Sequence, residues 1–463
     1  MNNGLLGERK VQTLLKQALS YSEAGETEIV FSSSHEALTR FAHNAIHQNV
    51  AEADASVEVH AAVGRRVGRA ATNDISPLGI ECAVRRAGEI ARHLPENPEW
   101  PGLPAPQTPE DEVSVAYDEA VAGMTPEARA QAVGEVCRAA QAAGLLASGA
   151  FSTGRSEYAV MNSNGLFAYA PSTEADLTLV VEQPEASASA YAQAIGWRLA
   201  QINFEALHRQ AIAGALAARQ PRRLRADEYP VVLAPYAVLT LLEALASDGM
   251  GALAVQEGRS WMNRRFGRQA LSPLISIYDD AFDPDGLPQA FDCEGVPKRR
   301  VPIVVNGVPT SPVYDRFTAA RERGQTSTGH AQPYDDEDWD GPLPENLALS
   351  PGDMTVEQMI HAVDRGLYIS RFWYVNVTTP HDGGVTGTTR DGVWWIEDGE
   401  LAYPVENLRF DQSLIRALRR VRGVGRELST LSGLYGVHRA PALALESFRF
   451  IDVSDGLWPE NEN

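Results

Sequence analysis

The stretch "HEALTRFAHNAIHQN" (35–49) carries three histidines and one glutamate. Whether it is helix or strand decides how the first half of the chain folds. A zinc-hydrolase helix of the HExxH kind needs two histidines on adjacent turns of one face, because zinc gathers three or four ligands at about 2.0–2.3 Å. Four residues after His35 stands Thr39. His43 and His47 have the right separation, but on a strand they would lie about 13 Å apart. The flanking text settles the matter for strand. "TEIVFSS" precedes the stretch, and in the "ASVEVHAAVGRRVGRAATN" that follows, Val57, Val59, Ala61 and Val63 alternate with Glu58, His60 and Ala62. A period of two is that of a half-buried strand. The histidines read as polar decoration within a strand-rich region, 27–75.

Outward from there, the glycines of "GRRVG" supply a hairpin turn. Ser76 can cap a helix that opens at Pro77 and buries Ile80, Val84, Ala87, Ala91 and Leu94. Proline punctuation makes 94–112 irregular. A second helix opens at Thr125-Pro126 and buries Val133, Val136, Cys137 and Ala140. Asn164-Gly165, between "YAVM" and "LFAYA", is a two-residue hairpin signal, and a third helix runs over about 203–217. These elements predict an α+β domain of antiparallel strands with helices over 1–220, ending in the polar linker "RQPRRLRADEYP".

A strand-rich second domain is expected over 226–463. It opens with the strand "PVVLAP" and the helix "PYAVLTLLEALA", whose Val238, Leu241, Leu242 and Leu245 face inward. "SPLISIYDD" and "RVPIVVNGVPTSPVY" read as strands, the latter with a turn at Asn306-Gly307. Thr355 and Gln358 form a capping box, and the text from 368 onward is mostly β, with a last helix in 411–425.

Net charge is −21, from 40 basic and 61 acidic residues. Such a field repels phosphate backbones, so a nucleic-acid partner is not expected. No apolar run reaches the 18 or so residues of a membrane span, and the start lacks the basic-then-apolar order of a signal peptide. Cys82, Cys137 and Cys293 form neither a disulfide framework nor a metal clip. A cytoplasmic location without membrane contact is expected.

Other chemistry-bearing stretches are weaker. The acidic "YDDEDWDG" (334–341) lacks the spaced ligands of a calcium loop and reads as a solvated loop. "TSTGH" (326–330) holds hydroxyls and a histidine without a nucleophile elbow. Cys293 lies in a turn and needs a histidine partner to be reactive. Gly423 and Gly425 follow a helix rather than opening one, which is the wrong side for a dinucleotide loop.

Taken in order, "TRFAHNAIHQN", "GRRVGRAATNDISPLGIECAVRRAGEIA", "YPVVLAP", "LLEALASDGMGALAVQEGRSWMNRRFGRQALSPLISIYDD", "FDCEGVPKRRVPIVVNGVPT", "STGH", "ALSPGDMTVEQMIHAVDRGLYI" and "TGTTRDGVWWIEDGELAYPVENLRFDQSLIRAL" resemble the TldD/TldE (PmbA) family, the so-called modulators of DNA gyrase. The resemblance runs along nearly the whole chain. It implies a proteolytic role. TldD-type members carry an HExxxH helix at the start of the second domain and a cysteine near the C-terminus. These hold a zinc that activates water, with the glutamate as general base. TldE-type subunits lack those groups and pair with TldD to trim small unfolded peptides.

By that resemblance the HExxxH position falls on "EALASD": Glu243 and Asp248 stand for the two histidines, Ala244 for the catalytic glutamate, and Tyr435 near the place of the late cysteine. Two carboxylates five residues apart on a regular helix point about 140° away from each other. Alanine moves no proton. The expectation is a TldE/PmbA-like subunit with no metal, no other cofactor and no catalytic residues of its own. It would form a homodimer, or a heterodimer with a TldD-like zinc peptidase, around an unfolded peptide. Two other readings stay open: an active peptidase with ligands relocated to His381, His438 or Asp248, and a homodimeric peptide-binding protein without an enzyme partner.

Overall fold

The computed structural model describes residues 4–109, 115–184, 188–333 and 341–453. The first half alternates helices and long strands: α1 (Glu8–Ser20), β1 (Glu26–Ala42), β2 (Ala45–Val63), β3 (Arg66–Thr72), α2 (Pro77–His93), the short α3 (Glu119–Ala122), α4 (Pro126–Ala142), β4 (Leu146–Asn162), β5 (Phe167–Glu182), β6 (Ser189–Gly196) and α5 (Phe204–Ala217). The strands form one antiparallel sheet in the order β3-β2-β1-β4-β5-β6. Alternation puts Ile29, Phe31, Val57 and Val59 on one face, where Val11 and Leu15 of α1 and Ile80 and Val84 of α2 cover them. Val133 and Val136 of α4 and Ala211 and Ala215 of α5 cover Phe151, Leu177 and Leu179 at the other end. Ser76 caps α2 through the Gly79 N–H, as its sequence predicts. Leu94 ends outside that helix and is exposed.

The histidine-rich stretch is strand, but it is two strands. His43 and Asn44 take φ of +49° and +65° and form a tight turn between β1 and β2. Positive φ at both central residues is what a two-residue hairpin demands, and asparagine tolerates it. Asn44 is also tied down at long range: its Oδ1 accepts from Ala147 N at 2.7 Å, and its Nδ2 donates to Leu145 O at 2.7 Å. The Asn164-Gly165 turn is wider than two residues, since Met161 pairs with Phe167 across it.

The second half contributes β7 (Glu228–Leu233), α6 (Pro235–Ser247), α7 (Ala252–Gln256), β8 (Ile277–Asp279), β9 (Val301–Val305), β10 (Val308–Pro309), α8 (Arg316–Ala320), β11 (Leu347–Leu349), α9 (Val356–His361), β12 (Arg365–Thr379), β13 (Gly384–Glu397), β14 (Glu400–Pro404), β15 (Leu408–Ser413), α10 (Leu414–Leu418), β16 (Val421–Val424), β17 (Ser429–Ser432), β18 (Val437–Ala440) and β19 (Leu443–Val453). Two sheets result. One runs β10-β9-β8-β11-β18-β17. In the other, β12-β7-β19-β15-β13 closes on itself because β12 also pairs with β13. One core joins them, with Ile277, Ile303 and Leu349 from the first sheet and Leu233, Phe372, Phe410 and Phe448 from the second. Helix α6 belongs to that core through Val238, Leu241, Leu242 and Leu245. The expected helix over 411–425 is mostly strand: only Leu414–Leu418 is helical, 411–413 finish β15, and 421–424 pair with β19.

Candidate functional site

Helix α6 is apolar on almost every side because it lies against both second-half sheets. One charged group breaks that pattern. Glu243 is 8 % exposed, and its Oε1 accepts hydrogen bonds from Leu434 N (2.7 Å), Tyr435 N (3.3 Å) and His438 Nε2 (3.2 Å). A buried carboxylate is tolerable when donors surround it. Here the donors are the backbone of the 433–436 loop and a histidine of β18.

His438 is fixed from its other side. Leu347 N donates to His438 Nδ1 at 3.1 Å, so Nδ1 bears the lone pair and Nε2 the proton aimed at Glu243. Both ring nitrogens are thereby used. Gly433 completes the seat, since a Cβ there would lie 1.9 Å from Glu243 Oε1. Gly433→Ala should therefore lower stability by about 1–3 kcal/mol. A thermal unfolding curve that overlays the parent's would show that the loop is not seated on Glu243.

The other positions matched to the metal motif lie apart from this contact. Ala244 packs half-buried against the main core. Asp248 is not on the helix: it follows Ser247 as the C-terminal cap residue and meets Arg259 Nη1 at 3.4 Å. Tyr435 contributes its backbone N–H, and its side chain is 43 % exposed. His438 sits on a strand, not in a loop, and does reach Glu243. His381 lies in a short turn at 380–382, where its backbone oxygen accepts from Arg265 Nη1, and its side chain is exposed.

Zinc does not fit this donor set. A metal on Glu243 Oε1 would displace three hydrogen bonds, and a metal on His438 Nε2 would displace its proton. Among the described residues no three His, Cys, Asp or Glu side chains converge as a metal site needs.

The remaining candidates resolve as structure. Thr328 Oγ1 is 2.9 Å from His330 Nδ1, and His330 Nε2 is 3.0 Å from Asp279 Oδ1, a hydroxyl–imidazole–carboxylate line that "TSTGH" alone does not reveal. It cannot serve a substrate: His330 and Asp279 are fully buried, and Thr328 Oγ1 accepts from Tyr314 N at 2.8 Å. Burial opposes the Asp279 charge, but His330 and Lys298 beside it outweigh burial and hold its carboxyl below the usual range. Burial and neighbouring carboxylates push the Cys293 thiol well up, the reverse of activation. His35 meets Gly4 O at 3.2 Å, and His43 and His47 are exposed. Of the acidic stretch 334–341, residues 334–340 lie outside the described residues. Among the described residues no helix is long and apolar enough to cross a membrane.

Comparison with known proteins places these features in a lineage. Residues 226–452 match the family model described as the PmbA/TldA metallopeptidase C-terminal domain. Along the sequence, the chain is 24% identical to Metalloprotease PmbA of Escherichia coli O157:H7 over 441 residues, 92% of this chain and 93% of that one. It is 25% identical to the Zinc metalloprotease TldD homolog of Saccharolobus solfataricus over 211 residues, 45% of this chain and 46% of that one. In fold it is similar to TldE from Thermococcus kodakarensis, with a TM-score of 0.84 at 19% identity over 95% of this chain and 99% of that one. It is equally similar to a modulator of a DNA gyrase from Thermotoga maritima, with a TM-score of 0.84 at 20% identity over 95% and 100%.

Proposed function

Because this chain belongs to the PmbA/TldD family, we propose that it is a non-catalytic, TldE-like subunit of a peptidase that degrades or matures small unfolded peptides. The observation that carries the reading is the Glu243 contact. Glu243, which the sequence resemblance aligns with the family's metal motif, accepts from Leu434 N, Tyr435 N and His438 Nε2, and these hydrogen bonds fasten α6 to the 433–436 loop and to His438. Ala244 offers no general base beside it.

The chain then acts by shape. It completes a dimer and holds an extended peptide for a TldD-like partner whose own zinc does the chemistry. A strand edge suits such a peptide, because main-chain hydrogen bonds bind it without regard to side chains. The partner and substrate act in the cytoplasm in this reading.

Mixing experiments test it. The chain should co-elute with a TldD-like protein that has an intact HExxxH motif, and the mixture should hydrolyse an unfolded peptide faster than the TldD-like protein alone. Separate elution together with unchanged turnover would remove the partner role.

A further inference from the structure

A groove of about 730 Å³ opens where the two halves of the chain meet, and it shares no residue with the Glu243 contact. Its size is that of a ligand site, and such sites favour the junction between two folded units. One wall is α5 of the first half, whose Ala213, Gly214 and Ala217 leave the space beside them empty. The floor is aromatic: Tyr368 of β12 and Trp394 of β13, with ring centroids 5.9 Å apart. A further wall is β14, to which every residue of 399–404 contributes.

β14 is an edge strand, paired with β13 on one side only. The chain itself begins to cover the other side. Arg222 N donates to Pro404 O at 2.9 Å, Glu406 N donates to Arg222 O at 3.1 Å, and Arg222 bridges Val405 in the parallel sense. The cover stops there, because Pro221 has no N–H to give and Gln220 takes φ +54°. Among the described residues, Glu400, Leu401, Ala402 and Tyr403 make no backbone–backbone hydrogen bond beyond their pairing with β13. That leaves an open edge roughly 13 Å long, a template for one more strand.

The charged side chains that line the groove are all acidic. Asp391 is already matched by Arg371 at 2.8 Å. Glu357 and Glu400 are exposed and have no ion-pair partner among the described residues. Arg222 lies outside the lining, stacked over Tyr403 at 4.1 Å. The walls thus present apolar rings, two free carboxylates and an unpaired main chain.

We propose that this groove docks an extended, unfolded peptide that carries basic residues among apolar ones, added as a strand to the open edge of β14. The inference rests on the reading of the chain as a peptide-handling subunit and names where, and with what preference, the peptide is held. Main-chain hydrogen bonds to residues 400–403 hold the peptide without regard to its sequence. A strand alternates its side chains, so one set packs on Tyr368 and Trp394 while the other meets Glu357 and Glu400, which favour lysine or arginine. A second subunit's sheet would have to enter between β14 and α5, and the volume of the groove does not admit it.

The test titrates the full chain, at low ionic strength, into a fluorescein-labelled nonapeptide of alternating valine and lysine and reads anisotropy. Binding is read on the chain alone, so it can fail while a mixture with a TldD-like protein still gains turnover, and it can hold while that mixture gains none. Methylating every peptide nitrogen should weaken binding at least about tenfold, because the edge of β14 then has no donors to accept from. Glutamate in place of lysine should weaken it by about as much. Ala213→Trp, which fills the groove from an exposed position on α5, should also cost at least about tenfold. Glu357→Lys combined with Glu400→Lys, both at exposed positions, should reverse the order of the lysine and glutamate peptides. No binding by the parent chain, equal affinity for the methylated peptide, or binding that neither protein variant alters overturns the proposal. A parent dimer that Ala213→Trp splits, with no peptide bound, assigns the groove to a second copy and overturns it too.

Discussion

Alanine at Glu243 should lower the unfolding free energy by about 2–4 kcal/mol. Hydrogen bonds to a charged group contribute roughly 1.5–3 kcal/mol each, and they are not additive when they share one acceptor. The substitution leaves the His438 Nε2 proton buried without an acceptor and strips the Leu434 and Tyr435 N–H groups of theirs. The buried His438 proton left without an acceptor costs more than its bond gave, whereas the part-buried Leu434 and Tyr435 N–H groups can turn to water. Glu243→Gln keeps an oxygen in place and loses only the charge, so it should cost about half as much. Guanidinium unfolding measures the difference, and limited proteolysis should cut the Glu243→Ala chain first within 432–437. Unchanged unfolding midpoints in both variants would mean that the 433–436 loop is held by something else.

The second large effect lies where the two halves clasp near the start of α6. Asp391 is 5 % exposed. It meets Arg371 Nε at 2.8 Å, and Ser189 of β6 donates its hydroxyl to it. Arg371, itself 5 % exposed, stacks over Tyr191 of β6 at 4.1 Å and over Trp373 at 5.0 Å. Removing one partner of a buried pair leaves the other charge desolvated and alone, which costs about 3–5 kcal/mol. Asp391→Ala adds backbone strain, because residue 391 sits at φ +56°. Asp391→Asn fits that conformation and keeps a polar oxygen, so it should lose markedly less. Calorimetry distinguishes the two variants. Equal losses would assign the effect to the lost charge opposite Arg371 rather than to backbone conformation.

How much of this was legible beforehand depended on the range of the interaction that fixes each feature. Local signals read true. Ser76 before Pro77 capped a helix, Thr355 and Gln358 formed their box, and Asn306-Gly307 turned a hairpin with φ of +49° and +78°. In each case the stabilising partner lies within a few residues. Asn44 was harder, because the αL turn at His43–Asn44 has no glycine and is held by Leu145 and Ala147 at the start of β4, about a hundred residues on. The stretch 411–425 misled for a different reason. Its Leu414, Ile415 and Leu418 have helical spacing and are buried, but the flanking residues gain more by pairing with β13 and β19 than by extending α10.

The candidate site divides the same way. Order and spacing along the family pattern singled out Glu243 and Ala244, which lie on α6, but said nothing of the contacts Glu243 makes. The histidine that faces Glu243 is 195 residues away and sits on a strand whose neighbour, Leu347, sets its tautomer. No local pattern contains that contact. Asp248 was misplaced onto the helix because nothing in "EALASDGMG" marks its end before the glycines. The Thr328–His330–Asp279 line was invisible because Asp279 ends β8, far in sequence from the irregular segment that carries Thr328 and His330.

The most direct test of the account is the metal content of the purified chain after dialysis, read together with hydrolysis of an unfolded peptide before and after EDTA. The hydrogen-bonded Glu243 contact predicts far less than stoichiometric zinc or any other transition metal, and no cleavage that the chelator abolishes. Stoichiometric zinc bound at Glu243 and His438, or EDTA-sensitive hydrolysis by the isolated chain, would contradict it.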